Sequence, residues 1–250
     1  MRKILVPMAI IGVSLTAAVP ALAAQKASPA LQAAAETCVG QRQAANWQAL
    51  IAACDTVLKE DVQAELKAAA YYNRGSGHMR NGDLAKSFSD LSAALKIAPK
   101  FARALTLRGS VLVAQGKLDQ AIADLNAAIK LEPTSSTAFN NRALAYLGKN
   151  DQARAIADFT KAIELDPKDA TSYAARGAAH LTSGQKDKAL ADFNKALELE
   201  PKNLVALFNR GVLYAATKDK PKAKADFETI LGIDPRNENA KQQLAALDKG

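Results

Sequence analysis

The sequence has few of the residues on which catalytic and metal sites depend. Aromatic residues make up 5% of the 250 positions, and the chain has only two histidines and two cysteines. It contains no His-Glu-x-x-His segment and no paired-cysteine zinc spacing, which argues against a zinc enzyme or a zinc-binding module. Alanine supplies much of the apolar content, and this favours closely packed helices over strands. We therefore expect an all-α protein that is not an enzyme and has no cofactor or bound metal.

Long hydrophobic runs are also absent, except at the beginning. Arg2 and Lys3 precede an apolar stretch from Ile4 to about Val19, and an Ala-Leu-Ala segment ends at Ala23. This order is typical of a secretory signal peptide, so we predict a signal at 1–23 and a short linker at 24–30. An uncleaved membrane anchor is the alternative. After signal removal no integral membrane segment is expected, and the predicted location is a bacterial periplasm.

Charge of one sign does not dominate. Without Arg2 and Lys3, 31 basic residues face 25 acidic ones, and the two signs interleave along the chain as on solvated helix faces. Nucleic acid is therefore not an expected partner. One basic cluster stands out, and contact with an anionic surface is its alternative interpretation: Lys218, Lys220, Lys222 and Lys224.

The strongest pattern is a spacing of 34 residues. Proline recurs at this spacing at Pro99, Pro133, Pro167, Pro201 and Pro235. Arginine and aspartate keep the same spacing elsewhere in the repeat. The pattern divides the chain into five repeats, here numbered 1 to 5: 68–101, 102–135, 136–169, 170–203 and 204–237.

Each repeat has the pattern of two amphipathic helices, because apolar and small residues recur three and four apart in both halves. A break separates the halves, as at Gly148–Asp151 in repeat 3. Gly82, Gly116, Gly184 and Asn150 share one place there and suit a left-handed backbone after a helix. The next residue is Asp83, Asp151 or Asp219 in three repeats, which predicts an N-cap for the second helix.

These features together resemble the tetratricopeptide repeat. The shared elements are the length, an aromatic or leucine near the start, a small residue four later, an alanine or serine opening the second helix, a later Phe or Leu, and the closing proline. Repeat 3 has them at Phe139, Ala143, Ala155, Phe159 and Pro167. The resemblance implies a right-handed α-solenoid of antiparallel helix pairs.

The two ends of the array depart from the pattern. Residues 31–67 resemble a degenerate repeat in which Trp47, Cys38 and Cys54 take the places of Leu84, Gly75 and Leu91. Those places face one another in the later repeats, and the export signal favours oxidation, so we predict a Cys38–Cys54 disulfide. Free thiols or a metal-binding pair are the alternatives. Residues 238–250 are predicted to form a capping helix and a short tail.

The periodic charges are predicted to form a structural ladder of ion pairs, because a feature repeated in every unit specifies packing better than it specifies one site. A charged binding site is the alternative. His78 and His180 share one repeat position three repeats apart, too far apart for a shared metal, and are predicted to pack. The ladder residues are Arg74, Arg108, Arg142, Arg176 and Arg210 with Asp90, Asp124, Asp158, Asp192 and Asp226.

The resemblance also implies that the first helices of successive repeats line a groove for a protein or peptide. The predicted function is a non-catalytic scaffold or adaptor of the periplasm. The alternative is a structural protein of the cell envelope that self-associates into homo-oligomers. The implied groove residues are Tyr72, Asn73, Met79, Arg103, Asn140, Asn141, Leu144, Leu147, Leu181, Phe208, Asn209 and Val212.

Overall fold

The computed structural model of the protein describes residues 28–40 and 46–249, so the predicted signal peptide lies outside the described residues. This described part consists of α-helices joined by short turns, with no strand. The helices are α1 Pro29–Val39, α2 Trp47–Lys59, α3 Ala64–Arg80, α4 Leu84–Ile97, α5 Ala102–Ala114, α6 Leu118–Leu131, α7 Ser136–Gly148, α8 Gln152–Leu165, α9 Ala170–Thr182, α10 Lys186–Leu199, α11 Leu204–Ala216, α12 Lys220–Ile233 and α13 Glu238–Lys249.

The described residues form two compact parts, one within Met1–Val111, here called the N-terminal half, and one within Leu112–Gly250, here called the C-terminal half. In the N-terminal half, α1 packs on α2 and α3, and α3 packs on α4. In the C-terminal half each helix from α6 to α13 packs on the next one along the chain. There α11 also contacts α9 on one side and α13 on the other. The first helices of repeats 4 and 5 and the predicted capping helix are therefore neighbours.

The turn between the two helices of a repeat needs a left-handed residue. Asn150 has φ 58°, as its place in the pattern predicts. Repeat 5 has Lys218 at this place with φ 64°, an occupant that the sequence pattern did not suggest. The predicted N-caps form: the Asp151 Oδ1 atom accepts a 3.0 Å hydrogen bond from the backbone N–H of Arg154. That bond and the Arg154 guanidinium lower the pKa of Asp151.

Close approach of the two helices in a repeat forms the core. The later Phe or Leu of each second helix is fully buried: Leu91, Leu125, Phe159, Phe193 and Phe227. A Cβ atom built on Gly177 would lie 2.7 Å from the Phe193 ring, so no larger residue fits there without displacing the ring. The small residue of the pattern therefore sets the distance between the helices.

At the N-terminal end two helices begin before the segment boundaries that the sequence pattern defines. Helix α1 begins at Pro29, inside the predicted linker, because Ser28 Oγ accepts a hydrogen bond from the Leu31 N–H and proline fits the first helical position. Helix α3 begins at Ala64, four residues before the predicted start of repeat 1. The degenerate repeat is spaced 37 residues from repeat 1 and has no closing proline, so the added residues extend α3 by one turn.

The predicted disulfide joins α1 to α2. The Cα atoms of Cys38 and Cys54 lie 4.9 Å apart, and both residues are buried in a cluster with Val57 and Leu66. The Asn73 Nδ2 atom donates a 2.9 Å hydrogen bond to the Cys38 carbonyl oxygen. The bridge thus joins the two helices of the one repeat that lacks most of the pattern, and the Asn73 bond links α1 to α3.

Replacing both cysteines with alanine is expected to lower the free energy of unfolding by about 3 kcal/mol, because the bridge closes a loop between residues 16 apart. Hydrogen exchange should increase in residues 29–59 and not in the C-terminal half. Alkylation under non-reducing conditions checks the bridge itself. Two alkylated cysteines in protein from its native compartment would contradict the prediction.

Candidate protein-binding site

The periodic arginines and aspartates form bidentate pairs within their repeats. Arg142 donates from Nε and Nη2 to the two carboxylate oxygens of Asp158, each at 2.7 Å. The aspartate side chain is 10% exposed and the arginine side chain 19%. The same geometry joins Arg74 to Asp90, Arg176 to Asp192 and Arg210 to Asp226. In each pair the aspartate raises the pKa of the guanidinium, so the arginine stays charged.

A third donor of each arginine reaches the second helix of the preceding repeat. Arg142 Nη1 donates to Asn126 Oδ1 at 2.7 Å, and Arg210 Nη1 donates to Asn194 Oδ1 at 2.7 Å. The acceptors for Arg108 and Arg176 are Ser92 and Thr160, which hold the same repeat position. Each arginine therefore links two repeats, and this second contact was not predicted from the sequence.

The N-terminal half uses the same link with a carboxylate as acceptor. Arg74 Nη1 donates to Asp55 Oδ1 at 2.6 Å, and Asp55 takes the Ser92 place when the spacing of 37 is applied. The predicted pairing of Arg108 with Asp124 falls across the boundary between the two halves and stays a prediction. The four described pairs favour the structural interpretation of the ladder.

The first helices of repeats 3, 4 and 5 have no charged side chain outside the ion pairs of the ladder. In each of α7, α9 and α11 the only arginine, lysine, aspartate or glutamate is the ladder arginine, namely Arg142, Arg176 or Arg210. Each of these is held by its aspartate. The charges of the second helices and the loops are by contrast mostly exposed. The first helices therefore form an uncharged surface in the C-terminal half, here called the first-helix face.

The first-helix face exposes apolar side chains next to amides. Leu144 is 37% exposed on α7, while Leu204 and Val205 are 38% and 55% exposed on α11. Asn140 on α7 donates to Ser172 Oγ on α9 at 2.6 Å, which ties these two helices together. Asn209 donates to the Val205 carbonyl within its own helix. Asn141 is half-buried and bonds to no other described residue, so its amide is available to a ligand.

Three of the predicted groove leucines and valines serve the core as well. Leu147 packs against the cluster of Tyr146 and Phe159, and Leu181 packs against the cluster of Phe193. Val212 packs, half-buried, against the cluster of Phe227 and Ile230. Only the outer part of each of these side chains is exposed on the first-helix face. Leu144, Leu204 and Val205 are therefore the apolar side chains of the face that a partner can cover most.

The end of the face has a shallow cavity of about 230 Å³. Phe208 forms one wall and meets the Phe227 ring edge-on at 5.9 Å between ring centres. The lining residues are Leu204, Val205, Phe208, Asn209, Ile230, Asn237 and Asn239. Sequence reasoning identified only Phe208 and Asn209 among them. Val205 holds the repeat position of Arg103, which was assigned to the groove, so the period could have identified it.

The predicted groove residues of the N-terminal half have other contacts. Tyr72 packs against Phe101 with ring centres 5.0 Å apart, and the Asn73 amide is bonded to the Cys38 carbonyl. Met79 is half-buried and Arg103 is exposed. Their assignment to a groove stays a prediction.

The two histidines pack beside ladder aspartates in different halves of the chain. His180 is 7% exposed, its Nδ1 lies 3.0 Å from Gln185 Oε1, and its Nε2 lies 3.9 Å from Asp192. Burial lowers the pKa of His180, assisted by Arg176 and Lys188, although Asp192 and Gln185 act in the opposite direction. His78 Nε2 lies 3.8 Å from Asp90.

Residues 28–40 and 46–249 contain neither a candidate metal site nor a candidate membrane span. No group of three or more His, Cys, Asp or Glu side chains is placed to bind a metal ion. None of the helices there has the length and apolar character needed to cross a membrane.

Family models described as tetratricopeptide repeat match most of the repetitive part of the chain. The matched residues are 68–101, 106–170, 170–203 and 204–237. The chain belongs to the tetratricopeptide repeat (TPR) family. TPR proteins are generally scaffolds for protein interaction. No curated protein matches the sequence.

Solved TPR structures share the fold at low sequence identity. PilF of Pseudomonas aeruginosa aligns with TM-score 0.72 and 18% identity over 87% of this chain and 97% of its own. A thermophilic TPR protein of Thermus thermophilus aligns with TM-score 0.62 and 19% identity over 72% and 98%. YrrB, a TPR protein with an unusual peptide-binding site, aligns with TM-score 0.56 and 21% identity over 76% and 96%.

We expect Arg142→Ala to lower the free energy of unfolding by about 3–5 kcal/mol, because it leaves the Asp158 carboxylate buried without a partner. Lys161→Ala is the control, since its pair with Glu164 is exposed and worth about 0–1 kcal/mol. Chemical denaturation measures both. If Arg142→Ala leaves the stability unchanged and abolishes partner binding, the ladder is a binding site and not a structural feature.

His180 is expected to make the folded state sensitive to acid. Because its pKa is lowered on folding, the unfolded chain binds the proton first, and stability falls as the pH drops from about 7 through the lowered pKa. His180→Tyr introduces the residue that repeats 3 and 5 have at this position. Urea denaturation at about pH 7.5 and about pH 5 should show a smaller acid loss in the variant. An equal loss in both proteins would contradict this role.

Proposed function

We propose that the protein is a non-catalytic scaffold that binds an uncharged, largely apolar segment of another protein on its first-helix face. The observation that carries the proposal is the charge pattern. The helices α7, α9 and α11 have no formal charge outside the Arg–Asp pairs, and they expose Leu144 and Val205. A segment with charged side chains would lose hydration there without gaining a partner.

The face also offers the chemistry that an extended segment needs. Apolar side chains of the partner can cover Leu144, Leu204 and Val205 at a gain of about 25 cal/mol per Å² of apolar surface buried. The free Asn141 amide can donate to and accept from the backbone of the partner. The cavity beside Phe208 has room for one apolar side chain at the end of such a segment.

The same observations argue against recognition of a carboxylate by this face. A carboxylate clamp needs lysine or arginine donors that are free to reach the ligand. The three arginines of α7, α9 and α11 each place two donors on an aspartate. The peptide-binding site named for YrrB gives a precedent for peptide binding on this fold.

We also propose export, with a signal at 1–23 removed after Ala23 and the protein acting in a bacterial periplasm. The order of basic, apolar and small residues supports the signal. The disulfide supports an oxidising compartment, because buried disulfides persist there and are rare in the cytosol.

The double change Asn141→Glu and Leu144→Lys should weaken partner capture at least about tenfold, because both introduced charges would be desolvated under the bound segment. The matched control is Ala153→Glu with Ala157→Lys, which places the same two charges on exposed positions of α8. Circular dichroism of all three proteins should agree.

The measurement is crosslinking from a photoreactive residue at position 144 or 205, with position 157 as the control site, in the native periplasm. Adducts from 144 and 205 and not from 157 are expected. Retained capture by the double variant would refute the first-helix face. An adduct containing a second copy of this chain, with sedimentation that depends on concentration, would favour the self-associating alternative.

A further inference from the structure

Repeat 4 has an open depression that the proposed scaffold function does not use. It lies among α8, α9 and α10, has a volume of about 440 Å³, and is here called the repeat-4 pocket. Its polar lining consists of Arg176, His180, Lys188, Asp192 and Thr160. Because Arg176 is paired with Asp192, Lys188 is the unbalanced cation of the lining, and His180 adds a second positive charge when it is protonated.

The other repeats show why the Lys188 side chain has no partner in repeat 4. In repeats 3 and 5 the His180 position is a tyrosine, and the cation at the Lys188 position lies over that ring. The Arg154 guanidinium is 4.6 Å from the ring centre of Tyr146, and Lys222 Nζ is 5.3 Å from that of Tyr214. These two cations also pair with the capping aspartates of their helices.

Repeat 4 has lost both partners of this cation. Histidine replaces the tyrosine, and Gln185 replaces the capping aspartate. Lys188 is exposed and makes no ion pair with any described residue. At the same repeat position, repeat 1 has Lys86, which is paired with Asp83, and repeat 2 has the uncharged Gln120. Among the described cations at this repeat position, Lys188 is thus the one that has no protein partner.

The other donors of the repeat-4 pocket are partly free as well. Arg176 uses three of its five N–H groups, two on Asp192 and one on Thr160. The Nε2 atom of His180 makes no hydrogen bond to the described chain, and its nearest partner is the Asp192 carboxylate at 3.9 Å. Asp192 already occupies the planar fork of Arg176. The donors that remain available therefore belong to three separate side chains, Arg176, His180 and Lys188.

We propose that the repeat-4 pocket binds a tetrahedral oxyanion of the phosphate class. Lys188 Nζ, the spare N–H groups of Arg176 and the protonated Nε2 of His180 would each donate to a different oxygen. Separate donors of this kind suit a tetrahedral anion, whereas a planar carboxylate is matched by an arginine fork. The ligand is either the free ion or a phosphate monoester of a small molecule.

Binding is coupled to the protonation of His180. The groups that act on this ring are Arg176 and Lys188, which disfavour its proton, and Asp192 and Gln185, which favour it. A bound anion beside Nε2 adds a second negative neighbour, so the pKa of His180 should rise and the affinity should increase as the pH falls.

The chain has only two histidines, so an imidazole NMR titration observes His180 directly with His78 as an internal reference. Inorganic phosphate is expected to raise the midpoint of His180 by about one pH unit relative to chloride of equal ionic strength. The His78 midpoint should not change. The His180→Tyr spectrum assigns the signals.

Lys188→Gln carries the residue that repeat 2 has at this position and should remove the shift. The control is Lys195→Gln, an α10 lysine paired with Glu198 that does not line the pocket, which should keep the shift. An equal shift in chloride, no shift in the wild type, or an equal shift in Lys188→Gln would overturn the proposal.

Glycerol phosphate separates the two sources of the ligand. A larger shift with the monoester at equal concentration assigns a phosphorylated small molecule, and a larger shift with inorganic phosphate assigns the free ion. Either result supports the oxyanion site. Because neither Asn141 nor Leu144 lines the pocket, the charge variants of the first-helix face should keep the phosphate shift, so the two proposals fail independently.

Discussion

The bidentate pair between the arginine of the first helix and the aspartate of the second is the interaction on which the other features depend. It fixes the two helices of a repeat, and the third arginine donor fixes the second helix of the preceding repeat, as Arg142 does with Asp158 and Asn126. Because the aspartates of the four described pairs are buried, their arginines cannot leave them without a large loss of stability. The same pairing leaves α7, α9 and α11 with no free charge.

The ends of the array show what happens where this arrangement weakens. The degenerate repeat keeps the acceptor of Arg74 in the form of Asp55, and a disulfide stands at the places of Gly75 and Leu91. A covalent bond there replaces the contact between a small residue and a large apolar one. At the other end α13 covers Phe227 and Ile230 through Leu244 and Leu247, as a capping helix should.

Departures from the repeat pattern carry the candidate functions. Val205 is apolar where repeats 3 and 4 have Thr137 and Thr171, and it becomes the most exposed large apolar residue of the first-helix face. His180 and Gln185 replace the two partners that would otherwise hold Lys188. Positions that follow the pattern serve packing, which is why the predicted groove residues Leu147 and Leu181 turn out to be half-buried in the core.

The sequence by itself determined the helix pairs, four of the five turn residues, four pairs of the ladder and the cysteine pairing, because each of these repeats at a fixed spacing or occupies a place defined by that spacing. It did not determine where α1 and α3 begin, since Ser28 and the three additional residues before repeat 1 act outside the period. Only the tertiary structure decided which side chains are bonded within the protein and which are available to a ligand. The bonds of Asn73 and Asn140 join residues 35 and 32 apart, and the repeat-4 pocket draws on three helices. Such contacts depend on how helices pack, and a spacing rule within one repeat does not contain that information.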